Sequence, residues 1–328
     1  MNSWLSLPRP FLMLAPLEGV ADTVFRQIVS SCAKPDLFVT EFTSADGYCS
    51  AGKDVVMQNF QFTPQEAPIV AQLWGRDPGA MYKTAKDVAA MGFFGIDINM
   101  GCPQKNVIGH GCGAAMVETP EIAASVIAAA KQGIKDSGRD IPFSVKTRIG
   151  MKNIVTEQWI SFLLAQGLDA LTIHGRTAKE MSKVPAHWDE IAKAVTIRDR
   201  MGVSTVIIGN GDVRDAKDAI EKAKTYGVDG VMIGRGIFSN LWAFDRTPQP
   251  HMASPRELVD IMERHVTLFT ETWQGKKSYA ILKKFFKIYI NGFPDATAWR
   301  VRCMATESAE EVLSVLRELK ESDILHKV

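Results

Sequence analysis

The segment Ile96-Asp97-Ile98-Asn99-Met100-Gly101-Cys102-Pro103 ends in a thiol set between a glycine and a proline, directly after a short apolar run of β-forming residues. Pro103 fixes the backbone that follows, so the run presents Cys102 rather than packing it. A lone cysteine is usually a small buried hydrophobe. What favours chemistry here is the position at the end of a strand. A nucleophilic thiol needs a histidine or another cation to lower its pKa, and the local sequence supplies no such histidine. A thiol near its reference pKa of about 8.5 is mostly protonated at neutral pH and can serve as an acid. The five cysteines, Cys32, Cys49, Cys102, Cys112 and Cys303, are odd in number and contain no Cys-x-x-Cys pair. That pattern argues against a disulfide framework and against a zinc site, so free thiols and no metal are expected.

Other chemistry-bearing residues end other apolar runs. Val145-Lys146-Thr147-Arg148 places two cations at the end of a buried strand, which is costly without an anionic partner. Gly209-Asn210-Gly211-Asp212 and Gly234-Arg235-Gly236 could hold a phosphate through backbone N–H groups and Arg235. Glycines in either loop alone equally suit a tight turn, but the two loops together favour phosphate. Gln72 could then pair with a ring edge of the phosphate-anchored cofactor, and Lys146 could stabilise negative charge on that ring, as a reduced flavin carries. His174, in His174-Gly175-Arg176-Thr177, reads either as a histidine bonded to a nearby carbonyl or, with Arg176, as a phosphate or substrate contact. Gly109-His110-Gly111-Cys112-Gly113 has three glycines in five residues and could be a hinged loop over the substrate.

Eight short β-rich runs must position these groups: 11–14, 37–40, 69–73, 95–98, 143–145, 170–173, 205–208 and 230–233. Helical periodicity fills the intervals at 79–91, 120–132, 155–166, 188–200 and 214–226, and the stretch 47–67 is the least regular. Alternation at this spacing predicts an α/β fold, a parallel (β/α)₈ TIM barrel, with an open doubly wound sheet as second choice. Closure is favoured because Glu18, Glu41, Gln72, Asn99, Lys146, His174, Asn210 and Arg235 each fall at or just beyond the end of a different strand. Only a closed barrel gathers all eight on one rim.

The chain has 328 residues, enough for a barrel and a smaller appendage, with 46% hydrophobic and 23% charged residues. Domain 1–246 is read as the catalytic barrel. Arg246-Thr247-Pro248-Gln249-Pro250-His251 reads as a linker, and 252–328 as a small C-terminal helical domain. That domain opens with Ser254-Pro255-Arg256-Glu257, an N-cap with proline at the first position and a reciprocal glutamate. Lys+Arg (38) and Asp+Glu (37) nearly balance, so overall charge identifies no partner. No apolar run approaches the roughly 18 residues of a membrane helix, and no basic segment precedes an apolar start, so a cytoplasmic protein is expected. A monomer is expected. Between 276 and 302, however, Lys276, Lys277, Lys283, Lys284, Lys287, Arg300 and Arg302 face Asp295 alone. Helical periodicity would put Lys276, Lys283 and Lys287 on one face, which suits a phosphate backbone; a solvated basic face is the plainer alternative.

Taken together, these motifs resemble the tRNA-dihydrouridine synthases over nearly the whole chain. The family signature, aliphatic-Asp-aliphatic-Asn-x-Gly-Cys-Pro followed by an aliphatic residue and Gly-small, is similar to Ile96–Pro103, Val107 and Gly113-Ala114. Ala15 to Asp22, Gln72 to Gly75, Val145 to Gly150, His174 to Thr177, Asn210 to Asp212 and Gly234-Arg235 look like the flavin segments. The resemblance implies that Pro16, Leu17, Glu18, Gln72, Lys146, His174, Asn210, Gly211, Asp212, Gly234 and Arg235 bind FMN. It implies that Asn99 and Cys102 face a uracil. tRNA would be held by the helical domain, with Arg300, Lys283, Lys284 and Lys287 in the matching region, and Arg176 is a further substrate candidate. On this reading NADPH reduces the flavin, hydride passes from its N5 to C6 of a uracil flipped out of the RNA stack, and Cys102 protonates C5. Departures are Ser182 to His187, where the family has a Tyr-x-Gly stretch and an acidic residue, Met151 in place of tryptophan, and Cys112 in place of a smaller residue. The alternatives are a flavin enzyme of the dihydropyrimidine or dihydroorotate type, a Schiff-base aldolase using Lys146, and a non-catalytic RNA-binding protein.

Overall fold

The computed structural model describes residues 3–326. Residues 1, 2, 327 and 328, at the outer ends of the two expected domains, lie outside the described residues. The chain forms two compact units. One runs to Thr23 and from Pro35 to Gly236; the other takes Val24–Lys34 and the chain from Ile237 onward.

The first unit is built on nine parallel strands: β1 (Phe11–Leu14), β2 (Phe38–Val39), β3 (Thr43–Ser44), β4 (Ile69–Trp74), β5 (Gly95–Met100), β6 (Phe143–Arg148), β7 (Ala170–His174), β8 (Val206–Asn210) and β9 (Gly230–Ile233). They pair in the order β1-β9-β8-β7-β6-β5-β4-β2, with β3 also on β4. A parallel bridge between Met13 and Leu37 joins the two ends. Leu14 N–H donates to the Leu37 carbonyl at 3.1 Å and Asp36 N–H to that of Leu12 at 2.9 Å, so the sheet is a nearly closed TIM barrel.

The predicted second strand, 37–40, is shortened to β2, and an unpredicted short strand, β3, follows it. β2 lies against Ile69 and Val70 and β3 against Leu73 and Trp74, so the two are successive halves of one stave. Between them the Thr40 hydroxyl accepts the Gln72 N–H at 3.0 Å. The predicted strands at 11–14 and 230–233 keep their bounds, while those at 69–73, 95–98, 143–145, 170–173 and 205–208 run on at their C-terminal ends, so Asn99, Lys146, His174 and Asn210 sit inside β5 to β8 rather than beyond them.

Period-two alternation decides which side chains share the barrel interior. The ladder aligns Gln72, Asp97, Ser144, Ala170 and Val206 across five strands. Earlier positions of the same parity are apolar: Phe11, Met13, Leu37, Val39, Val70, Ala170 and Val206 form a buried cluster with Trp4. Going toward the C-terminal ends, that parity turns polar, to Gln72, Asn99, Lys146, His174 and Asn210. The barrel thus has an apolar lower core and a polar mouth. Helices Pro78–Ala89, Pro120–Asp136, Thr156–Ala165, Trp188–Met201 and Ala216–Tyr226 occupy the predicted intervals. Asp77 and Asp215 cap two of them by accepting the N–H of Ala80 at 2.6 Å and of Asp218 at 2.9 Å.

The second unit is helical: Pro255–Trp273, Ala296–Ala305 and Ala309–Glu321 join the helix Thr23–Ala33. Its core stacks Phe25 on Phe285 at 4.9 Å, and buried His265 meets the Tyr289 hydroxyl at 2.7 Å. Ser254 caps Pro255–Trp273 as predicted, accepting the Glu257 N–H at 3.2 Å. Glu257 does not complete the reciprocal box, because its carboxylate pairs with His251 at 2.8 Å. Among the described residues no single helix is long and apolar enough to cross a membrane.

Candidate active site

Four side chains at the mouth are joined in one hydrogen-bond relay. Ser144 donates to Asp97 Oδ1 at 2.6 Å, and Gln72 Nε2 donates to Asp97 Oδ2 at 2.7 Å. Asn99 Nδ2 donates to Gln72 Oε1 at 2.9 Å. Asn99 Oδ1 in turn accepts the backbone N–H groups of Gly101 at 3.1 Å and Cys102 at 2.8 Å. The relay therefore ends on the backbone of Cys102. Burial pushes the Asp97 carboxyl up to about 6, against the hydrogen bonds of Ser144 and Gln72 and the charge of Lys146. Asp97 and Ser144 were not among the residues predicted for the site. The signal was present, since Asp97 stands two residues before Asn99 and so on the same side of β5.

Cys102 is half-buried. Burial raises its thiol above the ordinary range; a backbone hydrogen bond at Gln104 and the charges of Arg148 and Lys146 oppose the rise, and Glu18 adds to it. Those charges bring residues of β6 and of the turn after β1 within reach of the sulfur. The loop carrying Cys102 is held at both ends. Ala114 N–H donates to the Cys102 carbonyl at 3.1 Å, and Arg148, 6% exposed, donates to the Gly101 carbonyl at 2.8 Å and to that of Thr177 at 3.1 Å. Cys112 is buried, its thiol pushed up to about 11 by desolvation, so the second cysteine of this loop is kept protonated inside the fold. All five cysteines are unbridged.

Cations crowd the mouth from β6 to the loop after β9. Burial lowers the Lys146 ammonium to about 8, assisted by Arg148 and opposed by Asp97; its Nζ donates to Asn210 Oδ1 at 3.4 Å. His174 is held neutral, far below the usual histidine range, first by burial and then by Arg148, Lys146, Arg176 and Arg235. Four cations reaching one imidazole make this a place for an anion. Arg176 was expected to touch substrate. It is buried, 2% exposed, and its guanidinium is committed to the Val184 carbonyl at 2.6 Å, to His174 and to Asp212. Asp212 also accepts the Ala186 N–H at 2.9 Å and pairs with Arg235 at 3.3 Å, so it ties the loops after β7, β8 and β9 together. This clasp includes the segment 182–187 that departs from the family pattern.

The glycines of the two loops serve different ends. A Cβ on Gly209 would lie 2.4 Å from the Trp188 ring, and one on Gly236 would lie 2.3 Å from the Arg214 carbonyl oxygen, so packing alone requires both. A Cβ on Gly234 would make only ordinary contacts, with Ala15 at 3.7 Å and Leu17 at 4.0 Å, so packing alone does not require this glycine. Pro16 and Leu17 are half-buried and Glu18 is exposed; their turn is pinned by the Val20 N–H donating to Glu41 at 3.1 Å.

In the second unit the predicted basic face is corrected. Lys276 lies in a turn, and a tight 3₁₀ segment starts only at Tyr279 and gives way to a short α-helix at Phe286, so Lys276, Lys283 and Lys287 do not share one helical face. Lys283 donates to the Met304 carbonyl at 2.9 Å and Arg300 to that of Ile290 at 2.7 Å. Lys276, Lys284 and Lys287 are exposed.

The sequence profile of the family described as Dihydrouridine synthase (Dus) matches residues 13–325. The chain is 44% identical over 322 residues to "Probable tRNA-dihydrouridine synthase 2" of Bacillus subtilis (strain 168), covering 97% of each chain. It is 42% identical over 322 residues to "Probable tRNA-dihydrouridine synthase" of Staphylococcus aureus (strain COL), covering 97% of this chain and 96% of the other. Among solved structures, an old yellow enzyme homologue from Zymomonas mobilis overlays on 70% of this chain and 86% of its own, at 14% identity and a TM-score of 0.46. A profile match from residue 13 to residue 325, with relatives 42% and 44% identical over almost the full length, makes this chain a member of the dihydrouridine synthase family.

Proposed function

We propose that this protein reduces the C5–C6 double bond of a uridine in tRNA, with FMN held at the barrel mouth and NADPH as the reductant. The reading is carried by one observation. A half-buried thiol that stays protonated lies on a doubly anchored loop, within reach of the charges of Lys146 and Arg148. The residues of the mouth fit FMN: an excess of cations around His174 suits its phosphate and the anionic ring of its reduced form, and Gly234, Arg235 and the turn at Pro16 to Glu18 would flank it. Lys146 and Asn210 would lie against the ring, with Gln72 at its edge. When bound and reduced by NADPH, FMN supplies the hydride for C6 of the base. Cys102 supplies the proton to C5, so the base gains two hydrogens. Its raised pKa suits this role, because the acid stays loaded throughout the neutral range. Arg176 and Asp212 position the loops around the cofactor. The exposed lysines of the second unit, Lys284 and Lys287, would hold the RNA backbone, and Lys283 and Arg300 would shape that surface.

The test is mass spectrometry of unmodified tRNA incubated with the protein, FMN and NADPH. A gain of two hydrogens at one uridine is expected; unchanged tRNA from flavin-loaded, NADPH-oxidising protein removes the proposal. Cys102→Ala should bind FMN and oxidise NADPH normally while making about 10²–10⁴-fold less product, the range a lost general acid accounts for. Normal product from that variant eliminates Cys102 as the acid.

A further inference from the structure

We propose that Asp97 is a positioning residue: through Gln72 it fixes which way the Asn99 amide points, so that Asn99 offers the site an N–H and no acceptor. Asp97, Gln72 and Ser144 are buried, at 4%, 0% and 2% exposure, on three neighbouring strands. An ionised carboxylate only accepts. Asp97 takes the Ser144 hydroxyl on one oxygen and Gln72 Nε2 on the other, at 2.6 and 2.7 Å. Gln72 must therefore turn Oε1 toward Asn99, and Asn99 must answer with Nδ2, at 2.9 Å. The backbone imposes the same sense from the far end, where Gly101 and Cys102 N–H groups fill both lone pairs of Asn99 Oδ1. Neither amide can turn over alone. A reversed Gln72 would set oxygen against the Asp97 carboxylate and nitrogen against Asn99 Nδ2, and each clash would lie in a buried site. What Asn99 has left, 7% exposed at the mouth, is its second N–H.

The consequence rests on the reaction proposed above. Asn99 holds the backbone of Cys102, the acid for C5, so the position it would read is the neighbouring C4, and a pyrimidine read there by an N–H must show a carbonyl, as uracil does. The amino group that cytosine carries at C4 would set donor against donor. Asp97 thus selects the base without touching it, and Asn99 is the residue that contacts it.

A polarity swap tests this. Asn99→Asp alone places carboxylates on both sides of Gln72, so the flavin-loaded variant should melt well below wild type. Adding Asp97→Asn lets Gln72 turn over and remakes its two hydrogen bonds in the opposite sense, while Ser144 and the Gly101 and Cys102 N–H groups go on donating as before, all at unchanged net charge, and should recover most of that loss. A double variant no more stable than Asn99→Asp overturns the relay. Selection is read from competing tRNA transcripts carrying U or C at the modified position, scored as a two-hydrogen gain with or without loss of the exocyclic amine. Wild type should favour U by about a hundredfold or more. The double variant, now showing an acceptor, should narrow that preference by at least about tenfold. An unchanged preference, or reduction of neither base, overturns the selection. Asp97→Asn alone should keep the preference, because the new amide can accept from Gln72 while Ser144 turns to accept its N–H; a preference lost in this variant shows that charge rather than polarity acts. If wild type forms no dihydrouridine in any tRNA, the proposed reaction and the selection fail together, while the melting comparison still decides the relay.

Discussion

Lys146 is the side chain whose state depends most on what lies over it. Without an anion against it, burial and Arg148 outweigh the attraction of Asp97, and the ammonium gives up its proton at about 8. The protonated form is the one that attracts the anionic ring of reduced flavin, so affinity for reduced FMN should be flat below about pH 8. Above it, affinity should fall by up to about tenfold per pH unit, the limit for one linked proton. Titrating chemically reduced FMN, without oxygen, into flavin-free protein from pH 7 to 9.5 reads this directly. Lys146→Met should remove the pH step and bind at the weaker, high-pH level throughout. Stability of the flavin-free barrel follows the same linkage. With its folded pKa lowered, Lys146 makes unfolding bind protons between about 8 and its ordinary value, so its contribution to stability rises with pH in that window. Asp97, raised to about 6, works the other way: its contribution falls as pH rises from its ordinary value to about 6. Melting temperatures across pH 4 to 10 check both signs. Cys102, Lys146 and His174 were legible as mouth residues because each ends a β-run. The role of Arg176 was not, since its partner Asp212 lies 36 residues onward and only the closed barrel brings the two together.

At the scale of the element, the Cys102 loop is anchored rather than free to swing at the end where it meets Gly113. Gly113 has φ +60°, and a Cβ there would lie 2.7 Å from the Cys102 carbonyl oxygen. Gly113→Ala should cost about 1–2 kcal/mol for the left-handed backbone alone. It should also displace the carbonyl that holds Ala114 N–H, and with it the thiol. The expected result is a lower melting temperature and product formation reduced more than about tenfold, with FMN affinity near normal; unaltered turnover would show that the thiol does not need this anchor. The sequence suggested a hinge here because glycine density marks both mobility and tight packing, and only the neighbouring carbonyl distinguishes them. Strand and helix order were readable from alternation and period. The short strand β3 was not, because it depends on pairing with Leu73 and Trp74 of another strand, beyond the point where the Thr40 hydroxyl takes the N–H of Gln72. The lysine face failed for a local reason: Gly275, with φ +81°, and the turn after it delay the next helical turn until Tyr279.

For the molecule as a whole, a formal charge of +1 conceals a concentration of cations between 276 and 302. The composition of that segment was legible, but the inclusion of Val24–Lys34 in the helical unit was not, because it is a packing relation between distant parts of the chain. The structure sorts these cations into two kinds. Lys283 and Arg300 donate to carbonyls of their own unit, and Arg302 pairs with Glu318 and lies 4.4 Å from the Trp299 ring. Lys276 and Lys287 are exposed. If the exposed pair meets RNA phosphates, each releases counterions on binding, and the logarithm of affinity falls linearly with the logarithm of salt. Lys276→Ala and Lys287→Ala should each reduce that slope by about one and weaken tRNA binding with little change in melting temperature. Arg300→Ala should do the reverse, lowering the melting temperature with a smaller change in slope, since it leaves the carbonyl of buried Ile290 without its donor, and Lys283→Ala should change both less, since water can replace its bond to the exposed Met304. Tenfold variation of potassium chloride in a tRNA binding titration separates the two groups. Equal slopes in all four variants would mean that the surface near Lys287 is solvated rather than occupied by RNA.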